Sequence, residues 1–110
     1  MAIHFHAGEI ELMQAAANNW RGLEGVGGMM TVTNYRIWFE PHGMNIQSEP
    51  EEIPLHIITE IRKHDTWGFI PNGLLIRTNT GLVRKFITWK RENIIAAVVS
   101  QQPHLQKRRS

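Results

Sequence analysis

The chain has 110 residues, 42% of them hydrophobic, which fits one domain with a sizeable core and excludes disorder of the whole chain. It contains no cysteine, which excludes disulfides, thiolate nucleophiles and cysteine-based zinc sites. The net charge is +2, but Lys107, Arg108 and Arg109 supply three of the twelve basic residues. The rest of the chain has nine basic and ten acidic residues, a net charge of −1, which argues against a protein that binds duplex nucleic acid.

The first part of the chain gives mixed signals. Residues 1–8 are expected to be a poorly specified lead-in, without the features of a secretory signal. Between Glu9 and Trp20, Leu12, Met13 and three consecutive alanines favour a helix by intrinsic propensity. The glycines that follow predict a flexible turn; they are Gly22, Gly25, Gly27 and Gly28.

Residues 29–40 are predicted to form the clearest strand. Met30 and Val32 are apolar at first, but after Asn34 the apolar positions shift by one, to Tyr35 and Ile37. This slip predicts a β-bulge or a strand packed on both faces. Residues 41–43 end the strand, and residues 44–47 are predicted to return as a short strand.

The middle of the chain alternates between loops and short elements. Residues 48–52 are acidic and contain a proline, which predicts an exposed loop. Leu55, Ile58 and Ile61 have helix-like spacing within residues 53–63, which predicts one helical turn that continues as a strand. Residues 65–72 are predicted to form a loop that carries Trp67 and Phe69.

The last third predicts a hairpin and a helix. Residues 73–78 and 82–88 alternate in hydrophobicity and are joined by a turn at residues 79–81. From Trp89 the period lengthens to three and four residues, which predicts an amphipathic helix that ends at Pro103.

Four segments of the chain resemble, in the same order, the GRAM domain, a small relative of the pleckstrin-homology (PH) fold. The tetrapeptide Thr33-Asn34-Tyr35-Arg36 is the most specific part, although the family usually has a larger residue where Thr31 or Val32 stands here. The segments are GGMMTVTNYRIWFEP at 27–41, IPLHIITEI at 53–61, PNGLLIRTNTG at 71–81 and FITWKRENIIAAV at 86–98.

The resemblance implies a mainly β fold with one C-terminal α-helix, a PH-like bent antiparallel barrel, over residues 9–102. It also implies a first strand that ends near Trp20, where propensity favours a helix, and leaves residues 103–110 as a basic tail. GRAM domains occur in membrane-associated proteins and are thought to bind lipids or protein partners. The family therefore implies a binding module that lies peripheral to a membrane, although no ligand residues carry over. We expect the protein to be cytoplasmic, because the sequence lacks a secretory signal, an apolar run long enough to span a membrane, and cysteine, and we expect no cofactor.

Arg36 lies inside the most specific part of the resemblance. Its guanidinium group is suited to holding a phosphate through two hydrogen bonds. The alternative, which we favour, is that Arg36 pairs with a carboxylate such as Glu40 or Glu60, or stacks on Trp38.

Other basic and aromatic residues are better ligand candidates. Arg77 and Lys85 are expected to share one face of the late hairpin, against the alternative of scattered solubilising charges. Arg62 and Lys63 precede the loop of Trp67 and Phe69, a combination suited to a membrane surface unless the aromatics only close one end of the core. The basic tail adds three further cations to the candidate ligand-binding residues, namely Lys107, Arg108 and Arg109. The alternative is that the tail is disordered and adds nothing.

Catalytic and metal-binding motifs are not evident in the sequence. The six histidines lack ligand spacing, and neither a nucleophile elbow nor a phosphate-binding loop is present. The sequence therefore predicts a non-enzymatic module, with two hypotheses. Binding of anionic lipid requires the cations to converge, whereas a protein-interaction or self-association role requires an apolar patch, for example from Trp38, Trp67 and Val83.

Overall fold

The computed structural model describes residues 3–21, 24–43 and 49–105, with the side chains of Arg21 and Glu24 outside that description. The described residues form seven strands, one helix and 3₁₀ turns at residues 55–57 and 103–105, which confirms the predicted fold class. The elements are β1 (Glu11–Arg21), β2 (Glu24–Thr33), β3 (Arg36–Pro41), β4 (Glu51–Pro54), the 3₁₀ turn (Leu55–Ile57), β5 (Ile58–Lys63), β6 (Gly73–Thr78), β7 (Val83–Ile87) and α1 (Arg91–Gln101).

The strands form one antiparallel sheet in the order β4-β3-β2-β1-β7-β6-β5. The sheet is not closed, because β4 and β5 lie at its two edges. One face carries the core, where the rings of Phe39 and Phe86 have centroids 5.6 Å apart, and α1 packs against β1, β2 and β5. We call the opposite surface of the sheet the outer face.

The first element is a strand, as the family resemblance implied, and the helix favoured by propensity is wrong. In β1 the odd positions from 15 to 19 are buried and the even positions from 16 to 20 are exposed, which is the period of a strand. The strand is paired with β2 on one side and with β7 on the other. This pairing outweighs helix propensities of a few tenths of a kcal/mol per residue.

Three of the glycines predicted to form a turn lie inside β2 instead. Gly25, Gly27 and Gly28 pair with β1, so the predicted turn is wrong for them, and Gly22 lies outside the described residues. A Cβ atom on Gly28 would overlap the carbonyl oxygen of Glu40. Glycine is therefore needed at position 28 because two backbones approach closely.

The predicted strand over residues 29–40 is a hairpin of β2 and β3. The hydroxyl oxygen of Thr33 accepts hydrogen bonds from the backbone N–H groups of Tyr35 and Arg36, both at 3.0 Å, and the same hydroxyl donates to Glu9 Oε2 at 2.6 Å. The chain reverses at this point, so the apolar positions shift. The predicted bulge is wrong, because a turn causes the slip.

The second half of the fold agrees with the sequence prediction. The turn Leu55–Ile57 continues directly as β5. Strands β6 and β7 form a hairpin, and α1 buries Ile94, Ile95 and Val98. The predicted loop at residues 48–52 is corrected in part, because β4 begins at Glu51. The predicted strand at residues 44–47 lies outside the described residues.

Contacts with the domain extend beyond residues 9–102 at both ends. The carbonyl oxygens of His4 and Gly8 accept hydrogen bonds from Arg36 at 2.7 Å and from Asn34 at 3.1 Å. Leu105 is buried in the core. The lead-in and the start of the tail thus take part in the packing.

Candidate binding surface

The loop between β5 and β6 presents two large aromatic side chains to solvent. Trp67 is 82% exposed and Phe69 is 72% exposed, so the alternative that they close one end of the core is wrong. Trp67 has a φ of 54°, in the left-handed region that bulky residues rarely adopt. We call Trp67 and Phe69 the aromatic tip.

The base of this loop is held by several hydrogen bonds. Thr66 Oγ1 donates to Asn72 Oδ1 at 2.7 Å, and the backbone N–H groups of Phe69 and Ile70 donate to the carbonyl oxygen of Thr66 at 3.2 and 3.0 Å. From α1, Arg91 donates to Asp65 Oδ1 at 2.9 Å. The aromatic tip is therefore presented by an anchored loop.

Two of the predicted cations share one carboxylate. Arg62 and Arg77 both lie on the outer face and both pair with Glu60, at 3.0 and 3.1 Å. The hydrogen bond from Arg77 and the charges of both arginines lower the pKa of Glu60, against the opposing effect of burial. These two arginines are thus partly neutralised.

The remaining candidates are distributed over different surfaces. Lys85 lies on the outer face, where Leu75 of β6 stands between it and Arg62 of β5. Lys85 has no carboxylate partner among the described residues. Lys63 points to the opposite face and pairs with Glu92 of α1, and its hydrogen bond lowers the pKa of Glu92. Lys107, Arg108 and Arg109 lie outside the described residues.

Charge is divided unequally along the chain. Residues 58–92 contain seven Lys and Arg against three Asp and Glu, a net charge of +4, whereas residues 1–57 contain two against seven, a net charge of −5. The positive segment includes β5, β6, β7 and the aromatic-tip loop. Arg84 of this segment pairs with Glu51 of the negative one, which leaves a local excess of +3.

Arg36 is buried and has a structural role, which confirms the favoured alternative with different carboxylates. It pairs with Glu9 at 2.8 Å and with Glu52 at 3.0 Å, and its guanidinium carbon lies 5.0 Å from the Trp38 ring centroid. Burial raises the pKa of Glu9, but hydrogen bonds from Arg36 and Thr33 outweigh it and lower that pKa to about 2. A phosphate clamp at Arg36 is therefore not supported.

Two clefts open side by side on the outer face. The first has a volume of about 330 Å³ and is bordered by Trp20, Trp67 and Lys85. The second has a volume of about 280 Å³ and is bordered by Trp89. Ile87 lines both clefts, so we treat them as one feature and call it the indole trough.

Sequence reasoning missed Trp20 and Trp89 as surface residues. Trp20 would have been assigned to the outer face if the period of β1 had been recognised, whereas Trp89 precedes the helix without a pattern of its own. The example of an apolar patch from Trp38, Trp67 and Val83 is wrong. Trp38 lies on β3, which β2 and β1 separate from the β7 strand of Val83.

Residues 3–21, 24–43 and 49–105 lack two kinds of feature. In these ranges no helix is both long enough and apolar enough to span a membrane. No three His, Asp or Glu side chains in the same ranges are grouped so that they could hold a metal ion.

Comparison with solved structures identifies the fold. A solved C-terminal domain of an unknown protein from Leishmania infantum is 19% identical, with a TM-score of 0.73 over 86% of this chain and 85% of that one. The N-terminal PH domain of Vps36 is 10% identical, with a TM-score of 0.65 over 90% of this chain and 81% of that one. No family model and no curated protein matches the sequence. The fold of the chain is PH-like.

Proposed function

We propose that this chain is a non-catalytic binding module of the GRAM type that attaches peripherally to anionic membrane surfaces through the aromatic tip. The observation that carries the proposal is the exposure of Trp67 and Phe69 on an anchored loop. The left-handed backbone of Trp67 costs about 1–3 kcal/mol, and its side chain, which is 82% exposed, returns little packing energy to the fold. A contact outside the chain accounts for both features.

The charge around the aromatic tip supports an anionic membrane. Indole and phenyl rings favour the membrane–water interface, and burying each would contribute about 2 kcal/mol. Each Lys or Arg near an anionic leaflet adds about 1 kcal/mol, and the segment that carries the loop has the excess of positive charge. Arg62, Arg77 and Lys85 supply part of this charge from the outer face, whereas Lys63 lies on the opposite face.

The predicted cations then act through long-range attraction, without forming a headgroup pocket. Glu60 occupies the side chains of Arg62 and Arg77, so neither is free to clamp a phosphate. Lys63, Lys85 and the tail residues 107–109 add to the positive field in this proposal. Salt should therefore weaken the attachment.

The GRAM assignment rests on the order of the four sequence segments. The tetrapeptide at positions 33–36 forms the turn between β2 and β3, where its Thr33 hydroxyl holds the reversal. This role is structural, so the assignment supports the fold of the module and leaves its ligand to be tested.

Co-sedimentation with vesicles tests the proposal. The double variant Trp67→Ser/Phe69→Ser removes the aromatic tip, and Phe5→Ser/Ile10→Ser is a matched control that removes one exposed aromatic and one exposed aliphatic side chain from the N-terminal segment. We expect the tip variant to bind phosphatidylserine-containing vesicles at least about tenfold more weakly, and the control to bind within about twofold of the unmodified chain. Equal losses in both variants would contradict the role of the tip.

Vesicle composition and salt separate the contributions. Retention on anionic but not on neutral phosphatidylcholine vesicles at physiological salt is the expected result. Retention only at low salt would reduce the attachment to the charge of the tail. No retention at either salt would refute membrane attachment and favour the alternative of a protein partner.

A further inference from the structure

The indole trough crosses the strands of the sheet. Its floor follows the register from Gly73 through Ile87 and Asn18 to Gly27, one residue from each of β6, β7, β1 and β2. Neighbouring strands lie about 4.8 Å apart, so the floor is about 14 Å long. Because it lies on a sheet face and not at an edge, a bound chain cannot continue the backbone ladder.

Three indole rings border the trough with unused hydrogen-bond donors. Trp20 is 42% exposed and Trp89 is 73% exposed, and Trp67 stands at the end near β6. In the part of the chain that the structure describes, none of these three indole N–H groups has a hydrogen-bond partner. Trp38 differs, because its Nε1 donates to Glu40 Oε1 at 3.0 Å.

We propose that the indole trough binds a proline-rich segment of a partner protein that carries an acidic residue. Such segments adopt the polyproline II conformation, which rises about 3.1 Å per residue, so about four or five residues span the floor. Their pyrrolidine rings pack against aromatic side chains, and their carbonyl groups, which make no internal hydrogen bonds, accept from indole N–H donors. Two clefts that share Ile87 as a lining residue fit successive proline-containing steps of one such segment.

Lys85 specifies the charge of the partner. Its side chain borders the first cleft and has no carboxylate partner among the described residues, unlike Arg62, Arg77 and Arg84. A glutamate or aspartate in the bound segment would supply that partner. The charge complementarity favours an acidic proline-rich segment over a basic one.

This activity is distinct from membrane attachment. Trp67 belongs to both surfaces, but Trp20 and Trp89 lie outside the aromatic tip. The double variant Trp20→Ala/Trp89→Ala should therefore lose the peptide and keep its binding to anionic vesicles. A chain that binds peptide but no vesicles would refute only the membrane proposal.

Fluorescence anisotropy with labelled twelve-residue peptides tests the inference. Each peptide has about three times as many residues as are needed to span the floor of the trough. The probes are a proline-rich peptide with one glutamate, the same peptide with lysine in that place, and a proline-free peptide with one glutamate. We expect the first to bind about tenfold more tightly than either of the others. Equal binding of the proline-free peptide would overturn the proposal.

Variants and indole resonances locate the contact. Trp20→Ala and Trp89→Ala should each weaken binding about tenfold, and Lys85→Glu should reverse the preference between the glutamate and lysine peptides. In the unmodified chain, the peptide should shift the indole N–H resonances of Trp20 and Trp89 and leave that of Trp38 in place. A shift confined to Trp38, or variants that fold and bind unchanged, would overturn the inference.

Discussion

The buried pair of Glu9 and Arg36 makes stability depend on pH in a calculable way. The pKa of Glu9 is about 2 in the folded chain against 4.5 for an ordinary glutamate, because hydrogen bonds from Arg36 and Thr33 outweigh burial. The difference is worth about 3 kcal/mol at neutral pH. Since the unfolded chain binds the proton more tightly, this stabilisation is complete above about pH 5 and is lost as the pH falls toward about 2.

Replacing Glu9 by Gln removes this dependence. We expect Glu9→Gln to lower the free energy of unfolding by about 3 kcal/mol at pH 7, because Arg36 then keeps only Glu52 as a carboxylate partner. Between pH 5 and pH 2 the variant should lose less stability than the unmodified chain, so that the two curves converge. The side chain of Glu9 is fully buried, so solvent screening reduces the effect little.

Urea unfolding followed by tryptophan fluorescence at several pH values measures both effects. Glu11→Gln is the control, because Glu11 is an exposed glutamate two residues away. The control should stay within about 0.5 kcal/mol of the unmodified chain at every pH. Parallel curves for Glu9→Gln and the unmodified chain from pH 5 to pH 2 would show that Glu9 does not cause the pH dependence of stability.

Two other substitutions test the fold through urea unfolding. Thr33→Val should lower the free energy of unfolding by about 2 kcal/mol, because it leaves the N–H groups of Tyr35 and Arg36 without their acceptor. A decrease below about 0.5 kcal/mol would show that the hydroxyl does not hold the turn. Gly73→Ala should destabilise by at least about 2 kcal/mol, because its Cβ would overlap the carbonyl oxygen of His64, whereas Gly43→Ala has open space and should be neutral; equal effects would contradict the close approach.

The later part of the fold could be predicted because local signals and tertiary structure agree there. The hairpin of β6 and β7 has a period of two around a turn, and α1 has a period of three to four that ends before Pro103. The helix-like spacing of Leu55, Ile58 and Ile61 predicts the single turn at Leu55–Ile57. In these segments each local preference matches the element that forms.

The first part was predicted less well because long-range contacts decide it. The alanines of β1 favour a helix, and only pairing with β2 and β7 makes a strand. The shift in hydrophobicity at Thr33 predicts a bulge or a strand packed on both faces, because a reversal of the chain produces the same one-residue slip. The sequence does not predict the ion pair of Glu9 with Arg36, because the two residues are 27 positions apart.

The candidate surface was predicted in part. The sequence identified Trp67 and Phe69 together with their basic neighbours, but burial and ion pairs depend on three-dimensional placement. Sequence spacing does not show that Arg62 and Arg77 share Glu60. For the same reason it does not show that Trp20 and Trp89 border one trough.

The most direct test of membrane attachment observes the four indole N–H resonances of the chain in the presence of lipid nanodiscs. The discs contain phosphatidylserine and a small share of spin-labelled lipid, and discs without phosphatidylserine serve as the control. We expect the anionic discs to broaden the resonance of Trp67 most and to leave that of Trp38 sharp, because Trp67 projects into solvent whereas Trp38 donates to Glu40. Uniform broadening of all four resonances, or none at physiological salt, would contradict attachment through the aromatic tip.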